Sequence, residues 1–329
     1  MTAVRVALDA MGGDRAPATT VEGARLAAVP GELELLLVGD ETAIQAAAGT
    51  GLPAGVVVEH APDAIGPGDD PACVRGRPDA SLVRAVGAVR EGRAAACVSM
   101  GQTGAVVAAG LLGLQRVPGV LRPAVAATLP AQGGPVLLID AGANVDPRAE
   151  HLVQFARMGT LVAEDLLGLP QPTCGLLSIG EEAGKGTAAV REAHELLLRE
   201  PGVRFRGNVE GHELLTRRVD VVVTDGFTGN VVLKTAEGTA RHAMGRLRDT
   251  AHASLRGRLG GLLLRGAVRE LRAEMHPDTY GGAWLVGLDA LVVIGHGRSS
   301  AAGVANACRY AADAARRDVP SRLAARLRG

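Results

Sequence analysis

The chain has 329 residues, of which 47% are hydrophobic and only 2% aromatic, and its 35 basic side chains balance 35 acidic ones. Zero net charge and few aromatic side chains argue against a nucleic-acid partner, because such proteins usually combine a basic surface with stacking platforms. No apolar run approaches the ~20 residues of a membrane span, and the N-terminus carries no signal-peptide pattern, which predicts a cytoplasmic protein that is at most peripheral to a membrane.

Short apolar strands alternate with helices along most of the chain. The predicted strands cover residues 4–8, 33–38, 56–59, 95–99, 136–139, 175–179, 219–223 and 291–294. Helices are predicted at about 17–28, after 40, at 79–91, 105–114 and 149–167, after 186, from 230, and from after 298 to about 317. This alternation predicts a three-layer α/β/α fold with a mainly parallel sheet, in a single domain over residues 1–329.

Six of the strands are followed by a glycine-containing loop with polar side chains. The loops cover residues 9–14, 101–104, 140–146, 180–186, 224–229 and 295–298. Ligands bind at the carboxyl ends of strands in sheets of this kind, so we expect the six loops to converge on one polar anion site. Each loop alone is weak evidence, since glycines close strand–helix turns in any α/β protein.

The stretch from Val219 to Gly238 carries the clearest signal. Its valines predict a buried strand, its loop at 224–229 contains two glycines, and a helix is predicted from Asn230. A glycine loop before a helix N-terminus offers free N–H groups and a positive helix end to an anion. Asp225 in this loop either accepts a hydrogen bond from a protonated phosphate or ties the loop's own amides, and the sequence favours neither reading.

Lysine is rare in this chain. Of the 35 basic residues only Lys185 and Lys234 are lysines, and both lie in or just after glycine-rich loops. Arginine has a planar fork where lysine has a compact point charge, so a lysine retained among arginines indicates a position where the fork does not fit. Chance retention is the alternative explanation.

The segment from 239 to 276 departs from the strand–helix alternation. Two apolar helix faces flank Leu259-Gly-Gly-Leu-Leu-Leu264, which predicts a projecting helical hairpin with an apolar tip. The faces are formed by Met244, Leu247, Ala251 and Leu255, and by Leu264, Val268, Leu271 and Met275. The surrounding arginines are Arg241, Arg246, Arg248, Arg256, Arg258, Arg265, Arg269 and Arg272. A dimer-forming arm explains the two faces, whereas the leucine tip among arginines fits an anionic bilayer surface.

Several motifs, in order along nearly the whole chain, resemble the acyl-ACP:phosphate acyltransferases of bacterial phospholipid synthesis, the PlsX family. They are Asp9-Ala-Met-Gly-Gly-Asp14, residues 99–105, Asp140-Ala-Gly-Ala-Asn-Val-Asp146, residues 180–186 and 224–230, and Tyr280-Gly-Gly. The resemblance implies transfer of a long-chain fatty acyl group from acyl carrier protein to inorganic phosphate, giving acyl phosphate without a cofactor or metal. It also implies a homodimer, a fold similar to phosphotransacetylases and isocitrate-dehydrogenase-type enzymes, and a helical arm that associates with membrane.

We expect Lys185, Asp225 and Asn230 to be the catalytic residues. Lys185 suits a point-charge clamp on phosphate or on the oxyanion, Asn230 is a donor to either, and Asp225 can orient phosphate or accept its proton. The expected substrate-binding residues are Gly12, Gly13, Gln102, Thr103, Gly104, Asn144, Gly226, Thr228, Gly229, Lys234 and His296. His296 can protonate the leaving thiolate or serve as a structural histidine in a turn.

The chain departs from the family pattern at two places. The family usually has Ala-Gly-Asn where this chain has Met100, Gly101 and Gln102, and a lysine in the loop that here contains Arg75 and Arg77. The four cysteines lie outside the motifs, so we expect no acyl-cysteine intermediate. Two rival functions are a nicotinamide-dependent dehydrogenase, for which the GxGxxG pattern with its following acid is absent, and a non-catalytic membrane scaffold, which leaves the six polar loops unexplained.

Overall fold

One continuous sheet runs through the middle of the molecule. The computed structural model describes residues 3–275 and 277–328. The strands within them are β1 (Val4–Asp9), β2 (Leu33–Gly39), β3 (Val56–His60), β4 (Ala96–Ser99), β5 (Ala124–Leu129), β6 (Val136–Ile139), β7 (Thr173–Leu177), β8 (Arg204–Val209), β9 (Val221–Val223), β10 (Ala283–Val286) and β11 (Leu291–Ile294). Their order across the sheet is β3-β2-β1-β4-β11-β10-β5-β6-β9-β7-β8.

Helices cover both faces of this sheet. They are α1 (Ala18–Ala27), α2 (Glu41–Ala48), α3 (Ser81–Arg90), α4 (Thr103–Gly113), α5 (Ala149–Asp165), α6 (Ala188–Leu197), α7 (Gly226–His252), α8 (Leu255–Leu263), α9 (Arg265–Glu274), α10 (Ala301–Arg316) and α11 (Val319–Arg328). Val6 and Leu8 of β1 pack in the same hydrophobic cluster as α1, α2, α5, α6, α10 and α11. Ala7 packs on the opposite face with α3, α4 and part of α7. The predicted three-layer α/β/α fold is therefore confirmed.

The sheet is mainly parallel, but its two halves run in opposite directions. Strands β3, β2, β1, β4 and β11 pair in parallel, as do β6, β9, β7 and β8. Between them, β11–β10, β10–β5 and β5–β6 are antiparallel. Three reversals leave the two groups running in opposite directions, so the six loops do not share one outer edge. The register nevertheless places the end of β6 beside the end of β11, because Ile139 pairs with Ala126, Ala126 with Trp284, and the neighbouring Ala283 with Ile294. The loops after β4, β6, β9 and β11 therefore meet near the middle of the sheet.

The helical segment formed by α7, α8 and α9 differs from the hairpin predicted at 239–276. Helix α7 already begins at Gly226 and continues to His252, and α8 and α9 follow it. Residues 259–263 are helical, so the predicted turn at 259–264 is wrong, and the chain instead bends at 253–254 and at Leu264. Gly257 allows α8 to pack on α7, because a Cβ there would lie 2.8 Å from the Ala251 carbonyl oxygen. The side chains of Leu255 and Arg272 lie outside the described ones.

The leucines of this segment are nevertheless exposed. Leu262, Leu263 and Leu264 are 64%, 78% and 56% accessible, and Leu259 is 62% accessible. No helix in the described part of the chain is both long and apolar enough to cross a bilayer. The segment thus carries an exposed apolar surface on helices rather than at a turn.

Candidate active site

Two loops of the first strand group are joined through a buried carboxylate. Asp9 at the end of β1 accepts hydrogen bonds of 2.6 Å from the hydroxyls of Ser81 and Ser99. Burial raises the pKa of Asp9, although these two hydrogen bonds oppose the shift. A Cβ at Gly12 would lie 2.6 Å from Oδ2 of Asp9, so glycine is required for the loops to approach. Gly13 follows in the left-handed region with φ of 107°. In this arrangement the two glycines shape the loop.

The loop after β6 is organised in the same way by Asp140. Its carboxylate accepts hydrogen bonds from the backbone N–H groups of residues 125, 142, 143 and 144 and from the side-chain amide of Asn144. Burial raises the pKa of Asp140, and these donors oppose it. Asn144 Nδ2 donates to both Asp140 and the Pro123 carbonyl at 2.8 Å. Both amide hydrogens of Asn144 therefore hold the loop, which contradicts its predicted role as a donor to substrate.

Helix α7 begins against this loop. Asp225 is its N-cap and accepts 2.7 Å hydrogen bonds from both the backbone N–H and the hydroxyl of Thr228. The N–H of Gly226 donates to the Asn144 carbonyl at 2.6 Å, and the N–H of Gly229 donates to the Asp225 carbonyl. The amides that the sequence offered to an anion are thus largely engaged inside the protein. Asp225 ties the loop's own amides, as one of its two readings expected.

The two glycines of α7 serve close packing. A Cβ at Gly226 would lie 2.7 Å from the Asn144 backbone nitrogen, and one at Gly229 would lie 1.9 Å from the Asp140 carbonyl oxygen. These contacts press the first turn of α7 onto the loop after β6. The glycines therefore let the helix, rather than an anion, approach this backbone.

The two strand groups meet at Thr103, Gly142 and Asn230. A Cβ at Gly142 would lie 3.9 Å from Cβ of Asn230 and 4.0 Å from Cγ2 of Thr103. Thr103 is the first residue of α4, and Gln102 before it provides no side-chain cap within the described structure. The positive end of α4 therefore carries N–H groups that are open to an anion at the meeting point.

Gln102 and Gly104 fix this helix end to the long loop at 62–78. Gln102 Nε2 donates to the carbonyls of Gly66 and Asp69 at 3.0 and 2.8 Å. A Cβ at Gly104 would lie 2.8 Å from Cγ of Pro71. The side-chain amide of Gln102 thus holds the backbone of this loop in the described structure, and its contact with substrate stays a prediction.

A network of charged and polar side chains connects α7 to the loop after β11. Lys234 Nζ lies 3.1 Å from Glu237 Oε2, and His296 Nε2 lies 3.3 Å from the same oxygen. Burial raises the pKa of Glu237, but the hydrogen bond from His296 and the charge of Lys234 outweigh it and the net shift is downward. The His296 Nδ1 atom accepts the N–H of Arg298 at 3.2 Å. His296 is thus held at both ring nitrogens, as a structural histidine would be.

These groups line a pocket at the junction of the two halves. Its volume is about 90 Å³, which is room for several water molecules. Its polar lining includes Thr103, Asn230, Lys234, Glu237, Asp278, Tyr280, His296 and Ser299. Apolar side chains of Met100, Val125, Leu233 and Ile294 complete it. The pocket therefore brings together Thr103, Asn230, Lys234 and His296 of the predicted site.

Lys185 lies outside this lining. It is exposed in the loop that follows β7, and no hydrogen bond or ion pair holds its ammonium group among the described residues. β7 pairs in parallel with β9, which leads to Asp225, so Lys185 and Asp225 share an edge of the sheet. Next to Lys185 the buried hydroxyl of Ser178 has no partner within the described structure, and a Cβ at Gly186 would lie 2.9 Å from it.

Glu237 is one of the polar lining residues that the predicted site did not include, together with Asp278, Tyr280 and Ser299. Asn230, Lys234 and Glu237 are spaced i, i+4 and i+7 along α7, so they lie on one face of the helix. That spacing was available as a signal, since a helix was predicted from Asn230.

The fold and the pocket define a class of protein. A phosphotransacetylase from Streptococcus pyogenes has a similar structure, with a TM-score of 0.63 and 18% identity over 95% of this chain and 94% of that one. A branched-chain phosphotransacylase from Enterococcus faecalis gives a TM-score of 0.57 at 18% identity, over 96% and 99% of the two chains. The chain therefore has the phosphotransacetylase fold.

Sequence comparison identifies the family within that class. The model of the family described as "Fatty acid synthesis protein" matches residues 4–322. A phosphate acyltransferase from Thermus thermophilus is 49% identical over 92% of both chains, and one from Gloeobacter violaceus is 42% identical over 98% of this chain and 97% of that one. The chain belongs to this family and is an acyltransferase.

Proposed function

We propose that the protein transfers a long-chain fatty acyl group from acyl carrier protein to inorganic phosphate, for glycerophospholipid synthesis. The observation that carries the proposal is the pocket at the junction of the two halves, where Asn230 and Lys234 face the open N-terminus of α4. Curated relatives named phosphate acyltransferase support phosphate as the acceptor. The acyl carrier protein as donor rests on the motif resemblance.

The reaction requires positioning more than activation. A phosphate oxygen attacks the thioester carbonyl carbon, the carbonyl oxygen becomes an oxyanion, and the C–S bond then breaks to release the carrier thiolate. Phosphate is already anionic, so the enzyme must bind it, exclude water and aim one oxygen. Asn230 and the N–H groups of α4 are suitable donors to the phosphate or the oxyanion.

Besides Lys234 in the pocket lining, the proposal includes Lys185 as a second cation. It follows β7 at the edge shared with Asp225, on a loop in which Gly186 packs closely on Val190 and Ser178. An unpartnered buried hydroxyl normally has an explanation, and the hydroxyl of Ser178 beside this loop has no hydrogen-bond partner among the described residues. These observations support a ligand that engages the loop. Asp225 then keeps α7 in place and orients the phosphate.

The reaction is tested by thiol release. With palmitoyl carrier protein as donor, we expect free carrier thiol to appear in proportion to time and to saturate with phosphate concentration. The same assay separates the rivals, because neither a dehydrogenase nor a scaffold protein releases thiol from a thioester. Absence of thiol release from any long-chain acyl carrier at saturating phosphate would exclude the proposed reaction.

The proposal includes a homodimer and peripheral contact with an anionic membrane. The stem of α7 and α9 would serve the dimer, and the exposed leucines of α8, which lie among arginines, would meet the lipid surface. Apolar side chains supply buried area and arginines supply attraction to anionic headgroups. A cytoplasmic enzyme with this surface could deliver acyl phosphate at the membrane where lipids are assembled.

Replacing Leu262, Leu263 and Leu264 together by Ser should abolish co-sedimentation with anionic vesicles, because these side chains supply the apolar area. The dimer and the activity on soluble substrate should be retained, since the three side chains are far from the pocket lining along α7 and α8. A matched control replaces the exposed Leu196, Leu198 and Leu215 by Ser and should sediment like the parent. Vesicle binding that survives the first set, or is absent in the parent, contradicts the membrane proposal.

A further inference from the structure

Glu237 differs from an ordinary surface glutamate. Its side chain is only 12% accessible, although its partner Lys234 is 52% accessible. Its carboxylate is held from two elements, by Lys234 on the same helix and by His296 on the loop after β11. An i, i+3 pair alone on a helix surface adds little stability. The second partner, His296 from another element, makes this carboxylate part of the pocket wall.

The hydrogen bonds define the protonation of the network. The N–H of Arg298 donates to His296 Nδ1, so the ring proton is on Nε2 and points at Glu237. The Nε2–H group of His296 therefore anchors the carboxylate, and the carboxylate anchors the ammonium group of Lys234. The ammonium has three N–H donors, of which Glu237 accepts at most two, so at least one is available to another acceptor.

We propose that Glu237 is a positioning residue that holds the ammonium group of Lys234 beside Asn230, where it binds the phosphate substrate. The inference rests on the proposed function and adds the residue that fixes the phosphate contact. Among the described lining residues, Lys234 is the one permanent cation. Asn230 lies one helical turn away on the same face, and the open end of α4 lies across the pocket. A free lysine side chain loses rotamer entropy when it is fixed, so fixing it in advance lowers the cost of binding an anion.

The test is the substitution Glu237→Gln, which keeps the size of the side chain and removes its charge. The KM for phosphate should rise about tenfold, the change expected for loss of one charge-assisted hydrogen bond. The KM for the acyl donor should stay at the parental value. Direct binding of inorganic phosphate, measured by calorimetry without acyl donor, should weaken by the same factor.

Glu213→Gln is the matched control. Glu213 is also 12% accessible and paired with an arginine, Arg218, but it is not among the described residues that line the pocket. This variant should bind phosphate like the parent. His296→Ala should reproduce the defect of Glu237→Gln, because the carboxylate then loses its partner from the loop after β11.

A double substitution separates positioning from general loosening of the fold. If Glu237 acts through Lys234, the pair Glu237→Gln with Lys234→Gln should bind phosphate no more weakly than Lys234→Gln alone. Additive effects, or unchanged phosphate binding in Glu237→Gln, would overturn the inference. If Glu237→Gln does not fold, His296→Ala decides it: a raised KM for phosphate with an unchanged KM for the acyl donor supports the inference, and unchanged phosphate binding overturns it. If the parent binds phosphate but catalyses no acyl transfer, the proposed reaction is rejected while the phosphate-positioning role of Glu237 is still tested by the binding measurements.

Discussion

Replacing Lys185 by Arg is expected to lower the rate of carrier-thiol release by about 10²-fold. The change retains the positive charge, and arginine is the residue that this chain uses at nearly every other basic position. A compact ammonium on phosphate or on the oxyanion is displaced when a wider planar fork takes its place. A misplacement near 1 Å can cost about 10²-fold in rate. The measurement is thiol release against phosphate concentration for parent and variant.

Asp225→Asn completes this experiment because its structural role is defined. Asp225 caps α7 through Thr228, and asparagine is about as good an N-cap as aspartate. A purely structural Asp225 therefore predicts near-parental kinetics, whereas a carboxylate that orients phosphate predicts a large loss. If Lys185 is only a solvated lysine retained by chance, Lys185→Arg should likewise have the kinetics of the parent. Surface substitutions usually change the free energy of unfolding by no more than about 0.5 kcal/mol. Near-parental kinetics in both variants would contradict the assignment of these catalytic residues.

Hydrophobic periodicity predicted most of the strands, including the central β4, β11 and β6, but missed β5, β8 and β10. β1, β2 and β9 are runs of Val and Leu, which favour strands. β5 is Ala-Val-Ala-Ala-Thr-Leu, and alanine has low strand propensity, so the sequence analysis missed it. It also missed the edge strand β8, the short β10 and the terminal helix α11. β5 and β10 form all three antiparallel pairings, and without them the reversal of the second half could not be predicted.

The candidate site was likewise predicted only in part from the sequence. Loop composition located Thr103, Asn230, Lys234 and His296, because glycine-rich strand ends mark ligand-binding edges in α/β proteins. Composition could not reveal which polar atoms the protein itself would occupy. Asn144 is an example, because it donates its two amide hydrogens to the carbonyl of Pro123, just before β5, and to the carboxylate of Asp140. Pro123 is 21 residues from Asn144 in the sequence, and one sequence does not display a tertiary contact of this kind.

Gly229→Ala should destabilise the protein by about 3 kcal/mol or more, at the upper end of overpacking costs. A Cβ at this position would lie 1.9 Å from the Asp140 carbonyl oxygen, and backbone cannot rotate away as a side chain can. Asp140 is fixed by its own carboxylate, which accepts hydrogen bonds from the loop around it. Either α7 or this loop must shift, and Asn230 moves with α7. Loss of acyl transfer should therefore accompany the fall in thermal and denaturant stability.

Gly245→Ala is the control on the same helix. No atom within 4 Å would meet a Cβ there, so the only effect is the better helix propensity of alanine, worth up to about 1 kcal/mol of added stability. The two substitutions are chemically identical and differ only in what surrounds the new methyl group. Opposite signs in denaturant unfolding are the expected result. If Gly229→Ala were as stable as Gly245→Ala, the close contact between α7 and the loop after β6 would be wrong, and Asn230 could not be held at the junction of the two halves.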